Sequence, residues 1–465
     1  MTNRVQNEAA RLGEESIGKL LWRFSLPATL ASAVNASYNI IDTIFVGGLG
    51  SDAIAALSIA LPMQMVMGAI GIGTGVGAAS LISRSLGAKK EEDANTAGGQ
   101  VLILALFVGL LSTLIGRLYL EELLVFFGAT EEIIDLARSY MAVIIDGAVM
   151  LYLMWIMNNI IRAQGNAVIP MIAMIASALT NIILDPIFIY SFEMGVSGAA
   201  LATVIAKIVG VAIELQYLLR NKGIIKINLQ HFKPSFRIIK EIYRVGLPSM
   251  LMHIANDTSI IVANRVLRSY GYVPIAVRGL TQRLQMFAIM PARGISQGLV
   301  PIIGYNFGAQ KYDRVREAML KACAIGACFT TAAGIAYFVA PGFFLSIFNS
   351  DPELLAIGVK AVRIVVVMYP LMGIQAISTT FFQAIGNGVP ALFLSLLRRL
   401  ILYMPLVLLL PSIFDLNGIW LAAPISDFLA FAITLYLVAR EFKKYDIPLL
   451  RKAEKILPQP QSDES

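Results

Sequence analysis

Twelve apolar runs of membrane length divide this chain of 465 residues, and they restrict its fold more than any other feature. A run of about 20 apolar residues crosses the hydrocarbon core as a helix, because lipid offers the backbone no hydrogen-bond partners. The runs cover residues 22–47, 54–82, 98–115, 136–161, 168–191, 195–219, 238–267, 273–303, 316–340, 354–385, 389–410 and 416–438. Several exceed the minimum, which implies tilt, kinks or projection beyond the bilayer. A content of 57% hydrophobic against 14% charged residues is too apolar for a soluble chain of this size. The expected class is an all-α polytopic membrane protein with twelve transmembrane helices.

The chain repeats itself. Ser25-Leu26-Pro27 matches Gly246-Leu247-Pro248, Leu86-Gly87-Ala88 matches Phe307-Gly308-Ala309, and Gly165-Asn166 matches Gly386-Asn387, all at an offset of 221 residues. Near the end of each half the register slips by one, pairing Gly198 with Gly418 and Ala202 with Ala422. Six spans per half is an even number, so both repeats enter the membrane in the same direction, as parallel six-helix bundles about an axis along the membrane normal. The expected domains are an N-terminal six-helix lobe (1–219), a basic linker (220–237), a C-terminal six-helix lobe (238–440) and a polar tail (441–465), with a substrate cavity between the lobes.

Arg and Lys set the orientation. They crowd the linker (Arg220, Lys222, Lys226, Lys233, Arg237, Lys240, Arg244), the tail (Arg440, Lys443, Lys444, Arg451, Lys452, Lys455) and the loop after span two (Arg84, Lys89, Lys90). With twelve spans these fall on one side, so both termini are expected in the cytoplasm of a prokaryotic cell membrane; Arg265 and Arg268 fit poorly. No signal peptide is expected ahead of the first span. The net charge of +7 then reflects topology, and no nucleic-acid partner is expected. Cys323 and Cys328 sit in one helix without a metal pattern, and His231 and His253 are isolated, so no cofactor or zinc site is expected.

The chemistry lies in polar groups inside apolar spans. An intramembrane acid is expensive and marks a functional site by default. Asp185 lies four residues after Asn181 on one helical face; Asn35, Tyr38 and Asp42 share a face of span one by the same rule. Span four adds Met154 and Asn158, span five Met174, and span six Thr203. Pro27 removes a backbone hydrogen bond within span one and marks a bend or hinge. In the second half Asp42 aligns with Ala263 and Asp185 falls near Pro405, so the acidic site is confined to the first. Asn and Thr also serve as plain packing groups in membrane helices, and a carboxylate can cap a broken helix. The run Gly71-Ile-Gly-Thr-Gly-Val-Gly77 lacks the lysine of a phosphate loop and reads as a close-packing surface.

These residues resemble the multidrug and toxic compound extrusion (MATE) family, in its prokaryotic DinF/MepA-like branch. The matching strings are Tyr38-Asn-Ile-Ile-Asp42-Thr-Ile-Phe-Val-Gly47, Asn181-Ile-Ile-Leu-Asp185-Pro186, Gly198-Ala-Ala-Leu-Ala-Thr203 and Gln297-Gly-Leu-Val-Pro301-Ile-Ile-Gly-Tyr-Asn306-Phe-Gly-Ala309. The resemblance runs from about Leu20 to Arg440. It implies two lobes in a V shape and export of organic cations or other amphipathic compounds in exchange for H⁺ or Na⁺. By motif, Asp42, Asn158, Asn181, Asp185 and Thr203 fall on the family's cation-site positions, where Na⁺ would take Asp42, Asn181, Asp185 and Thr203 as ligands. Pro27 falls on its helix-one hinge and Tyr140 on its helix-four tyrosine. Asn35, Tyr38, Tyr140, Met154 and Met174 are the expected cavity wall. Membrane lipids and drug-like cations are the expected partners, and a monomer is expected.

The chain departs from the branch at Asp146, Lys207 and Asn256-Asp257. Lys207 lies one turn beyond Thr203 and could pair with Asp185. Asp146, Asp257 and Asp427 could serve a second cation site, pair with a base or face water; Arg278, Arg283, Arg398 and Arg399 are available partners. Three rival functions are weaker. A lipid-linked precursor flippase calls for a basic central cavity. A membrane enzyme would need an Asp-rich motif, a His cluster or an activated nucleophile, and none is visible. A passive channel fits poorly with acids in one half only. With no ATP-binding motif, the energy would come from an ion gradient.

Overall fold

The computed structural model describes residues 10–220, 225–226 and 228–446, except the side chains of 229, 256–258 and 261. Lys222, Arg451, Lys452, Lys455 and the side chains of Asn256 and Asp257 lie outside the described residues. Twelve rods follow the twelve apolar runs: α1 (Ile17–Gly47), α2 (Ser51–Gly87), α3 (Glu91–Phe126), α4 (Ile134–Asp146 with Ala148–Ala163), α5 (Val168–Ser191), α6 (Gly195–Leu219), α7 (Phe236–Leu267), α8 (Tyr272–Gly308), α9 (Tyr312–Val339), α10 (Pro352–Ala384), α11 (Gly388–Phe414) and α12 (Leu416–Lys444). No strand occurs among the described residues.

Nine of these are long and apolar enough to cross a membrane, and the bent α4 makes ten. The two that fall short of the expected twelve are α1 and α7, the first helix of each half. Both are long, but Asn35, Asn39 and Asp42 in α1 and Lys240, Glu241, Arg244, His253 and Asn264 in α7 lower their apolarity. Each still packs on two neighbours, α1 on α5 and α8, α7 on α11 and α2, while Trp22, Leu26, Ile40 and Ile44 of α1 and Leu247 and Leu251 of α7 stay exposed.

The kinks and projections that the long runs imply are both present. Span four is not one straight helix; it breaks at Gly147 with a bend of 53°. Gly147 packs against Val204 of α6, and Asp146 at the break is exposed and paired with Arg117. Several helices also outrun their apolar runs, α3 by some two turns at its start, because Glu91, Glu92 and Asp93 continue a helix where the hydrocarbon ends and complement its N-terminal dipole. For the same reason α12 carries helix into residues 441–444.

The repeat is visible in the backbone. Positive φ recurs at Gly50 and Gly271, Lys89 and Gln310, and Gly165 and Gly386, each pair 221 residues apart, and at Gly195 and Asp415, 220 apart. Gly165 ends α4 and Gly386 ends α10, at φ +103° and +84°, where a side chain would be strained. The halves also meet symmetrically. A Cβ on Gly87 would strike the Tyr305 carbonyl, and one on Gly308 the Arg84 carbonyl, so α2 and α8 cross through two glycines that are repeat-mates. The Gly71–Gly77 run serves packing as expected: a Cβ on Gly73 would lie 2.8 Å from the Gly246 carbonyl of α7.

Candidate cation-coupling site

Asp185 sits at the end of the α-helical part of α5. Pro186 follows and cannot donate to the preceding turn, and the chain widens into a π-helical segment, Ile187–Ser191. Tyr190 in that segment donates to the Phe45 carbonyl at 2.6 Å, tying α5 to the end of α1 that carries Asp42. The Asp42 and Asp185 carboxyl groups thereby face each other at hydrogen-bonding range. Asp185 is fully buried; Asp42 is half-buried.

Asn181 organises the group. Its Nδ2 donates to Asp185 Oδ1 at 3.0 Å and is 3.3 Å from Thr203 Oγ1 on α6. Asp42 Oδ1, Asn181 Oδ1 and Asp185 Oδ2 are buried and receive no hydrogen bond; so is Asn158 Oδ1 on α4. Buried polar atoms in folded proteins almost always have partners. Here the unpartnered atoms are all acceptors. Such a group can take a proton between its carboxyls, or a hard cation among carboxylate, amide and hydroxyl oxygens. No cluster of three or more His, Cys, Asp or Glu suited to a metal ion occurs among the described residues.

The other expected residues divide. Tyr140 is buried within electrostatic range of Asp42, Tyr38 and Asp185, and its hydroxyl is 3.3 Å from Gln64 Nε2, a partner the sequence did not suggest. Tyr38 is half-buried and holds Lys207: the ammonium lies 3.5 Å from its hydroxyl and 5.0 Å from its ring centre. Lys207 thus rests on Tyr38 and forms no ion pair with Asp185. Asn35 is half-buried and its carbonyl accepts from Asn39. Asn158 donates to the Met154 carbonyl in its own helix at 3.0 Å and makes no hydrogen bond to Asp185. Pro27 lies within an otherwise continuous α1, between two tight contacts with α8: Phe24 on Gly298 and Thr29 on Gly294.

Of the expected cavity wall, one residue lies in the core instead. Met154 is a core residue, buried against Gly210 of α6, and half-buried Met174 packs on the same core. Helix four is apolar on more than one face, so sharing a face with Asn158 did not require facing a cavity. Among the ambiguous acids, Asp146 pairs with Arg117 and Asp427 pairs with Arg398. One buried acid was overlooked: Glu214 of α6, fully buried beside Arg162, carries the same sequence signal as Asp185, a charge inside an apolar run.

The MatE family model matches residues 27–187 and again 248–409. The two matched segments begin at Pro27 and Pro248, the repeat-mates identified above. The chain is 31% identical over 404 residues to the multidrug export protein MepA of Staphylococcus aureus (strain MSSA476), covering 86% of this chain and 89% of that one. Among solved structures it resembles a MATE in the bent conformation, at a TM-score of 0.90 and 28% identity over 94% of this chain and 98% of the other. A MATE in the straight conformation matches with the same TM-score and identity, over 94% and 99%.

Proposed function

This chain belongs to the MatE family of membrane transporters, and on that premise we propose that it is a secondary active multidrug exporter, driven by H⁺ or Na⁺ entering through the acidic site of its first half. Its relatives are transporters and not enzymes. The observation that carries the coupling reading is the facing pair Asp42 and Asp185, with buried acceptor oxygens that no donor satisfies.

The cycle follows from charge. With the site empty, two carboxyls at close range repel and keep their portion of the cavity negative, which favours a cationic, amphipathic drug over an anion. A proton or Na⁺ bound between Asp42 and Asp185 removes that repulsion and draws α1 towards α5. The stripe Asn35, Tyr38 and Asp42 moves with α1, pivoting at Pro27, and the drug loses its counter-charge. The cation drives the cycle only by binding one conformation more tightly than the other, and a shift from 1:99 to 99:1 needs about a 10⁴-fold preference. In the same reading both termini face the cytoplasm of the cell membrane, the halves act as N- and C-terminal lobes around the linker 220–237, and one chain suffices. Transport in liposomes, with pH and Na⁺ gradients imposed independently, tests this. Lipophilic-cation efflux should follow one gradient; efflux indifferent to both would reject the reading.

A further inference from the structure

The second half holds a polar cavity of its own. It occupies about 60 Å³ among α8, α10, α11 and α12. That is room for several waters or one small polar head group. Arg278, Arg398, Arg399 and Asp427 supply its charges, with Gln282 and Ser426 beside them. Arg278 and Asp427 are more than nine-tenths buried. Arg398 is matched by Asp427 at 2.6 Å. Arg278 donates to Asn264 Oδ1 at 2.5 Å and to the Ile260 carbonyl at 2.9 Å, both neutral. Arg399 lies within electrostatic reach of both arginines and of Asp427, yet makes no hydrogen bond or ion pair among the described residues.

Three guanidinium groups therefore face one carboxylate inside a membrane protein. Intramembrane arginines are rare and mark ligand paths. The backbone supports the placement: Arg398, Arg399 and Tyr403 all lie on a π-helical stretch, Leu397–Tyr403, a distortion found often at functional sites. From the cavity, its surplus of positive charge and the unpartnered Arg399, we propose that the second half contains an anion-binding site for a small oxoanion head group, a carboxylate or phosphate, gripped by the guanidinium fork of Arg399 with Arg278 beside it. Guanidinium suits this ligand because its N–H donors meet two oxygens at once. The head group enters as part of a soluble amphiphile or of an anionic lipid. The inference is independent of the coupling reading, since it involves no residue of the Asp42–Asp185 site.

The test is saturable binding of radiolabelled inorganic phosphate and of benzoate to purified full-length protein, at low ionic strength. Wild type should bind both. Arg399→Gln should weaken binding at least tenfold, and Arg399→Lys, which keeps the charge and loses the fork, about threefold or more. Lys321→Gln removes a positive charge on the exposed face of α9 and should change nothing. If Arg399→Gln does not fold, wild-type binding and the Arg399→Lys loss decide. Repeating the measurement in nanodiscs separates the sources. Binding seen in phosphatidylcholine and suppressed by phosphatidylglycerol identifies a lipid head group; binding equal in both identifies a soluble anion. Absence of saturable binding by wild type, or equal binding by Arg399→Gln, overturns the proposal.

Discussion

Helices α5 and α11 occupy the same place in two copies of one bundle, and they carry opposite charge. In α5 the charged and amide side chains are Asn181 and Asp185, followed by Pro186 and a π-helical turn. In α11 they are Arg398 and Arg399, within a π-helical stretch that precedes Pro405. The next helix inverts as well: Lys207 of α6 aligns with Asp427 of α12, in the register that pairs Gly198 with Gly418. Each half thus sets one sign on its fifth helix and the other at this matched position of its sixth, although α6 also holds the buried acid Glu214 two turns on. The consequences differ. Asp427 is consumed by Arg398, whereas Lys207 leans on Tyr38 and leaves Asp185 free to meet Asp42. Duplication kept the backbone devices, glycine at positive φ and proline within helices, and let the charges diverge. Chemistry is therefore found where the repeats disagree.

The largest expected effect strikes the second half. Asp427→Asn leaves Arg398, whose side chain is only 15% exposed, without its buried carboxylate, and breaking a buried ion pair from one side costs about 3–5 kcal/mol. A fall in melting temperature well beyond that of other polar variants is expected in detergent. A stable Asp427→Asn protein would mean that the arginines are neutralised otherwise and that the two halves are closer in charge.

Pro27→Ala and Pro248→Ala form the next comparison. Both prolines lie within the first helix of their half, but at the repeat-matched position beyond them α1 has Asp42 where α7 has Ala263, the acid of α7 being Asp257 instead. Transport should fall about tenfold or more for Pro27→Ala, equivalent to about 1.4 kcal/mol in the rate-limiting step, with expression and folding retained. Pro248→Ala should lose less. Equal losses would show that both prolines serve packing.

Thr203→Val removes the hydroxyl that accepts from Asn181; its repeat-mate, Ala423, has none. One neutral hydrogen bond contributes about 1 kcal/mol, so efflux should drop roughly fivefold. No change in initial efflux rates would remove Thr203 from the site. Smallest of all is Arg117→Gln. The Arg117–Asp146 pair is about half exposed, and such pairs contribute roughly 0–1 kcal/mol. A thermal shift comparable to that of Asp427→Asn would erase the distinction drawn between the two Asp–Arg pairs.

Much of this was legible in the chain because it rests on backbone constraints. The matched Gly165-Asn166 and Gly386-Asn387 announce two equivalent turns, and both glycines take positive φ. Asn181 and Asp185, four residues apart, hydrogen-bond as helical spacing requires. Other features depend on what surrounds a helix. Nothing local to Met154 says that its face turns towards Gly210. A single glycine, Gly147, does not declare a 53° bend, since isolated glycines are tolerated in helices. Arg398 and Asp427 were visible as candidates, but their pairing needed α11 and α12 side by side. Lys207 has an aromatic partner rather than an acidic one, a choice made by the position of α1.

The central claim is that the coupling site belongs to the first half. It is tested most directly by gradient-driven efflux of a lipophilic cation from liposomes containing Asp42→Asn, Asp185→Asn or Asp257→Asn protein, each at matched reconstitution. Asn keeps the shape of Asp and removes the charge. Efflux should fall to background for Asp42→Asn and for Asp185→Asn, and persist for Asp257→Asn. Loss of efflux in Asp257→Asn alone, with both first-half variants active, would place the site in the second half and contradict the account.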